Sequence, residues 1–443
     1  MEKEIRAKPS TKDALLFWLK LGFISFGGPA GQIAIVHEYL VENKKWISPS
    51  RYLHALNYCM LLPGPEALQL VIYTAWLLFG TWMAIIAGLL FIIPSIILLL
   101  VLSFLYCQYG HLPLVASMLL FVKPAVVAMV IGALIKIGKK SLTSATYIAI
   151  TIISFVLIYF FKIDFALLVI VTLVLGALYS WQNRKQMSDT KNAKSDTTES
   201  EYFIHQHSAF HFEWKNVWHH IAKISGGFIF ICFLPIGVIY FFSSHQSFWY
   251  TLSGFFTKAA FVTFGGAYAV LPYVGQVAVE KYNWLTHAQM MDGLALGETT
   301  PGPLIIVLQF VGYMAGYNAF HQNIFAGIIA ALLTSFYTFV PSFFMVLAGG
   351  PVIEKTKDNP LVKNTLKFVN ALVVGVLANL CLSLILNLWN LKSIHFSAQA
   401  IFTLLWLLVS ILVFQKLKMN VIKWIALSLI CGVVWFFIAP FIN

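Results

Sequence analysis

The sequence predicts an all-α polytopic membrane protein made of two inverted-topology repeats, with broken or re-entrant helices at Phe-Gly-Gly and Pro-Gly-Pro motifs. Three observations lead there: a composition too apolar for a soluble surface, an internal duplication, and glycine/proline breaks at matching places in the two copies.

Of 443 residues, 60% are hydrophobic and 10% charged, with a mean hydropathy of +0.82. A soluble domain carries about 25% charged residues. Apolar runs of roughly 18 residues or more read as membrane spans, and they occur at 82–107, 114–135, 145–161, 164–181, 224–243, 322–349, 368–389, 398–414 and 424–442. The opening "MEKEIRAKPSTKDALLFWLK" is charged and lacks a small-residue cleavage site, so it does not read as a cleavable signal. The net charge of +12 sits largely in loops and therefore reports orientation rather than nucleic-acid binding. Basic loops are the N-terminus, 136–140, 183–223, 354–367 and 416–423; nearly charge-free ones are 108–113, 243–248 and 318–323. Cys59, Cys107, Cys232, Cys381 and Cys431 have no paired spacing and read as small core residues, with no metal or disulfide role.

Self-comparison reveals the repeat. "FGGPAGQIAIVHEYLVENKKWI" from Phe26 matches "FGGAYAVLPYVGQVAVEKYNWL" from Phe264 at an offset of 238, without a gap through Pro63-Gly64-Pro65 and Pro301-Gly302-Pro303. Farther on the offset is 247: Pro94-Ser95 pairs with Pro341-Ser342, and "FVKPAVV" (121–127) with "FVNALVV" (368–374). The expected organisation is a first transport repeat at 1–182, a polar flexible linker at 183–217, an extra span at 218–243 and a second repeat at 244–443. The end of the linker is rich in histidine (His205, His207, His211, with His219 and His220 beyond), without zinc-type spacing. Each repeat crosses an even number of times, so the extra span inverts the second. With the N-terminus and the 183–217 linker inside, every basic loop then falls in the cytoplasm. Inverted repeats characterise many secondary transporters, whose substrate binds near the midplane where the repeats meet.

The breaks supply the chemistry. Irregular backbone inside a bilayer is tolerated only where protein buries it or it lines a polar cavity. Proline suits the first position of a new helix. On that reading Pro65 offers the N–H groups of Ala67, Leu68 and Gln69. Pro303 offers those of Leu304, Ile305 and Ile306, and Pro29 those of Ala30, Gly31 and Gln32. The fourth break relies on Gly265 and Gly266. Helix N-termini bind anions, so four paired ends make a small anion chamber, against the alternative of mere packing kinks.

Ionisable residues inside spans are functional candidates. Glu66, in the first turn after Pro65, either caps that turn or gates a dianion by its own ionisation. Glu298, at the end of the half-helix before Pro301, has a setting suited to proton coupling. Asp292 lies nearer the segment end and reads as interfacial. Lys123, whose repeat mate is Asn370, is the candidate cationic contact, or else a salt-bridge partner of Glu66. Lys20 and Lys258 line an entry path or snorkel to the interface. Glu42 and Glu280 recur beside Trp46 and Trp284 as interfacial anchors. The tract "GALIKIGKK" (132–140) lacks phosphate-loop spacing, and no enzyme motif is present. The residues alone thus reach a small-anion transporter or channel rather than an enzyme, with no cofactor.

"FGGPAGQIAIVHE", "LHALNYCMLLPGPEALQL", "FGGAYAVLPYV" and "DGLALGETTPGPLIIVLQFVGY" closely resemble the long-chain, two-domain form of the chromate ion transporter family, over roughly 14–140 and 252–390. Gln32, His37, Glu38 and Arg51 match polar positions of that family. The resemblance implies a bacterial cytoplasmic-membrane exporter that confers chromate resistance. Its expected substrate-binding residues are Gly27, Gly28, Pro29, Gln32, Pro63, Gly64, Pro65, Glu66, Lys123, Gly265, Gly266, Glu298, Pro301, Gly302, Pro303 and Asn370. A carrier of sulfate or another oxyanion, or an anion channel, is the alternative. Partners are the anion and the lipid bilayer, not nucleic acid; a homodimer is left open.

Overall fold

The computed structural model describes residues 9–182 apart from 27 and 61, then 202–203, 214–264 apart from 243–244, 267–355, 360–389 and 398–441 apart from 418. Among them are seventeen α-helices and no strand. In the first half these are α1 (Thr11–Ile24), α2 (Gly28–His37), α3 (Pro49–Cys59), α4 (Glu66–Phe79), α5 (Thr81–Tyr109), α6 (Pro113–Ser141), α7 (Ala145–Tyr159) and α8 (Phe165–Gln182). Then comes α9 (Trp214–Phe242), which begins inside the tract read as linker. Apart from 202–203, the remainder of that tract, with His205, His207 and His211, lies outside the described residues. The second half runs α10 (Gln246–Val262), α11 (Ala267–Gln276), α12 (His287–Glu298), α13 (Val307–Ala319), α14 (Ile324–Lys355), α15 (Pro360–Trp389), α16 (Ala398–Leu412) and α17 (Val421–Ile438).

The order of elements repeats with the sequence: α1–α8 recur as α10–α17, down to a π-turn after α2 (Glu38–Asn43) and after α11 (Val277–Lys281). Local chemistry sets the helix starts. Ser48 accepts from Arg51 N with Pro49 in the first turn of α3, and its counterpart Thr286 forms a reciprocal capping box with Gln289 at α12.

Among the described residues seven helices are long and apolar enough to cross a membrane: α5, α6, α8, α9, α14, α15 and α17. Two of the nine apolar runs form shorter helices, α7 and α16, of 15 residues each. They rise only about 22 Å, less than the roughly 30 Å hydrocarbon core. α5 is apolar on both its buried and its exposed faces, as expected of a helix that meets lipid. On α5, Leu89, Ile93, Ile97 and Val101 are exposed while Ala84, Ala87, Phe91, Ser95 and Leu99 are buried.

The halves exchange their last two helices. α7 and α8 pack on α15 of the second half, and α16 and α17 pack on α6 of the first. The crossings correspond. A Cβ on Gly176 of α8 would lie a tight 3.0 Å from Thr365 O, and one on Gly432 of α17 would lie 2.5 Å from the Cα of Met118. Thr365 stands 247 residues after Met118. Small residues at such crossings let backbones approach closely, the packing that replaces the hydrophobic effect between helices in lipid.

Candidate functional site

Both Pro-Gly-Pro turns are buried where the halves meet. Gly64 N donates to Thr263 O at 2.7 Å and Gly302 N donates to Ser25 O at 2.8 Å. Thr263 and Ser25 are themselves repeat mates, so the pair of bonds is reciprocal. Gly64 (φ 120°) and Gly302 (φ 92°) occupy backbone that L side chains avoid. Each also has a serine hydroxyl against it, Ser342 on Gly64 and Ser95 on Gly302, and both hydroxyls are buried without a hydrogen-bond partner among the described residues. Two side-chain amides finish the turns: Gln32 Nε2 donates to Gly302 O at 2.6 Å, and Gln69 Nε2 to Pro63 O at 2.7 Å.

This geometry corrects the expected donors. Pro65 occupies the cap of α4, not its first helical position, and Gln69 N donates to Pro65 O. The open N–H positions are therefore those of Glu66, Ala67 and Leu68. Pro303 likewise caps a 3₁₀ turn, Leu304–Ile306, whose Ile306 N–H bonds back to Pro303 O. α2 starts at Gly28, which moves its open donors to Gly28 and Ala30. The amides of Gly64 and Gly302 are already committed between the repeats.

A cavity of about 520 Å³ gathers Gly28, Pro29, Glu66 and Asn370 from the expected set. Three broken-helix starts reach it: Gly28 of α2, Glu66 of α4 and Tyr268 of α11. Its cations are Lys136 and Lys140, one helical turn apart on α6. Neither has an ion-pair partner among the described residues, and Lys140 lies close enough to act electrostatically on Glu66. Glu298 stands behind the cavity wall, 8% exposed, and accepts from Tyr268 OH at 3.0 Å.

Other expected residues lie elsewhere. Lys123 does not pair with Glu66: its ammonium sits 2.9 Å from Asp292 Oδ1, and Tyr106 OH donates to Asp292 Oδ2 at 2.9 Å. Asp292, expected at the interface, is 6% exposed. Glu280 ion-pairs with Lys162 at 2.9 Å and Lys258 with Asp164 at 3.1 Å, which ties the α7–α8 loop to the second half. Gly27, Gly265 and Gly266 lie outside the described residues. Sequence reasoning missed Lys136, Lys140 and Tyr268. The signal for the lysines was their i, i+4 spacing at the end of an apolar run, which puts both on one helix face.

Comparison with known proteins places this architecture. The family model described as chromate transporter matches residues 12–180 and 250–434, once per repeat. An uncharacterised transporter of Methanocaldococcus jannaschii is 27% identical over 98% of this chain and 96% of its own length. The chromate transport protein of Cupriavidus metallidurans is 26% identical over 83% of this chain and 80% of its own. That of Pseudomonas aeruginosa is 29% identical over 81% and 77% respectively. No solved structure matches the chain. A multi-pass helical protein whose two halves each match the same transporter model is thus a member of the chromate transporter family, in its two-domain form.

Proposed function

We propose that the chain exports chromate across the cytoplasmic membrane as a secondary transporter driven by an ion gradient. The observation that carries the reading is the cavity between the halves. There the starts of three broken helices converge with two lysine ammonium groups, and among the described lining residues one carboxylate, Glu66, stands with them. Chromate is a tetrahedral dianion, and backbone N–H groups at helix starts with mobile lysines suit its four oxygens. The family membership, and the names of the Cupriavidus and Pseudomonas relatives, select chromate among such anions. The anion binds near the midplane, against Gly28, Pro29, Glu66 and Asn370.

Glu66 and Glu298 carry the coupling. Glu66 repels the dianion while ionised and admits it once protonated; Glu298 exchanges its proton with the cavity through Tyr268. The repeats have inverted topology, with the N-terminus and the 183–217 linker in the cytoplasm and re-entrant backbone at the breaks. The shortness of α7 and α16 leaves this parity intact, because each is followed by one further helix, α8 or α17, and the pair crosses and returns.

The test is chromate accumulation in cells expressing the protein, with excess sulfate as competitor and an uncoupler as control. Lower accumulation that the uncoupler abolishes is the expected result. Unchanged or higher accumulation overturns export. Export suppressed by sulfate would make sulfate or a related oxyanion the substrate, and flux that follows only the electrical potential would make the protein a channel.

A further inference from the structure

A second cavity, about 440 Å³, lies against α15 and is lined by Asn379, Leu380, Ser383, Leu384 and Asn387, with residues of α7, α11 and α12 opposite. Each of these five stands 247 residues beyond a residue lining the first cavity: Gly132, Ala133, Lys136, Ile137 and Lys140. The same face of the same duplicated helix therefore hollows out twice. What differs is charge. Where the first cavity has Lys136 and Lys140, the second has Ser383 and Asn387, and Asn387 Nδ2 lies 3.5 Å from Ser383 Oγ. The charged pair at the second cavity, Lys162 and Glu280, is closed on itself at 2.9 Å. His287 is the remaining titratable group there besides the tyrosine of α7.

We propose that the second cavity is the exit vestibule for the same class of tetrahedral oxyanion, a weak site facing the strong one at Lys136 and Lys140. The inference rests on the transport reading above. In an inverted repeat, duplicated faces open toward opposite sides of the membrane, so α6 presents its face to the cytoplasm and α15 to the exterior. Two ammonium groups give a dianion charge-assisted hydrogen bonds, about twice as strong as those of an amide and a hydroxyl. This asymmetry does not drive transport, which the ion gradient does. It sets where each face saturates: at low concentration inside, so that dilute anion is captured, and at high concentration outside, so that exported anion does not rebind.

The test is the KM for chromate measured on each face, in inside-out and right-side-out vesicles, normalised to immunodetected protein. Lys136→Ser with Lys140→Asn, which copies the outer set onto the inner, is expected to raise the cytoplasmic-face KM at least about tenfold, the scale of losing charged hydrogen bonds. Lys136→Arg with Lys140→Arg keeps it low, which separates loss of charge from loss of fold. Ser383→Lys with Asn387→Lys lowers the outer-face KM. Unchanged KM on both faces in the first and third variants, with wild-type transport intact, overturns the proposal. Wild-type vesicles that move no chromate overturn the transport reading, and this one with it.

Discussion

Lys123 of the first repeat and Asp292 of the second form a 2.9 Å ion pair across the boundary between the halves, with Tyr106 completing the carboxylate. Both are inside the bundle, Asp292 nearly closed off. A buried pair contributes little net stability, yet removing one partner leaves an uncompensated charge and costs about 3–5 kcal/mol. Lys123→Ala and Asp292→Ala should each lower the melting temperature of the detergent-solubilised protein. Lys123→Met combined with Asp292→Leu should recover most of that loss. A double variant as unstable as the sum of the singles would show that the two do not act as a pair.

The Pro-Gly-Pro turns give a second prediction. Gly64→Ala and Gly302→Ala each force a side chain into positive φ and against a serine hydroxyl. The expected cost is about 2 kcal/mol or more, from backbone strain and overpacking together. Adding Ser342→Ala to the first and Ser95→Ala to the second should relieve the hydroxyl clash but neither the strain nor, at Gly64, the 2.8 Å approach of Gln69 Nε2. Thermal denaturation of the four variants reads both contributions; full recovery would remove the backbone argument.

Glu66→Gln probes coupling. With the carboxylate neutralised, chromate binding from the cytoplasmic side should tighten while the response to an imposed pH gradient disappears. Uptake into inside-out vesicles with and without that gradient decides it. Stimulation equal to wild type would take Glu66 out of the coupling path.

Tyr268→Phe removes the hydrogen bond to Glu298 and leaves the ring in the cavity wall. If the tyrosine passes protons to that carboxylate, the variant should insert at wild-type levels, bind chromate normally and show a slowed, gradient-insensitive export. Glu298→Gln should match it. Normal gradient response in both would confine the pair to packing.

The exchanged helices yield a matched pair of variants. Gly176→Leu and Gly432→Leu place a side chain at corresponding crossings, α8 on α15 and α17 on α6. Both should lower the yield of folded protein in the membrane, as assayed by size-exclusion of solubilised material. A defect in one alone would mean that the two crossings are not equivalent.

Much of this architecture was legible beforehand because it depends on short-range patterns. Apolar run lengths located all seven long helices, though two of the nine runs fold as the shorter α7 and α16, and two constant offsets located the duplication. The residues that were misread are those whose environment is set from far along the chain. Asp292 reads as interfacial because it lies near the end of its segment, whereas Lys123 and Tyr106 enclose it from the other half. Lys136 and Lys140 looked like loop residues because the apolar run stops before them; α6 continues to Ser141 and carries both along a cavity wall. Pro65 and Pro303 sit one position earlier than the sequence predicts, since proline fits a cap as readily as a first turn.

The exchange of α7–α8 and α16–α17 also bears on how the protein is made. When the ribosome has finished the first half, α6 is in the bilayer without its partners, and α7 and α8 have no α15 to rest on. Lipid or a chaperone must cover those faces until the last helix is synthesised. Assembly therefore cannot proceed one half at a time, and neither half expressed alone should leave the translocation machinery as a finished unit. Supplied together as two polypeptides cut within 183–213, they contain every helix that either one lacks.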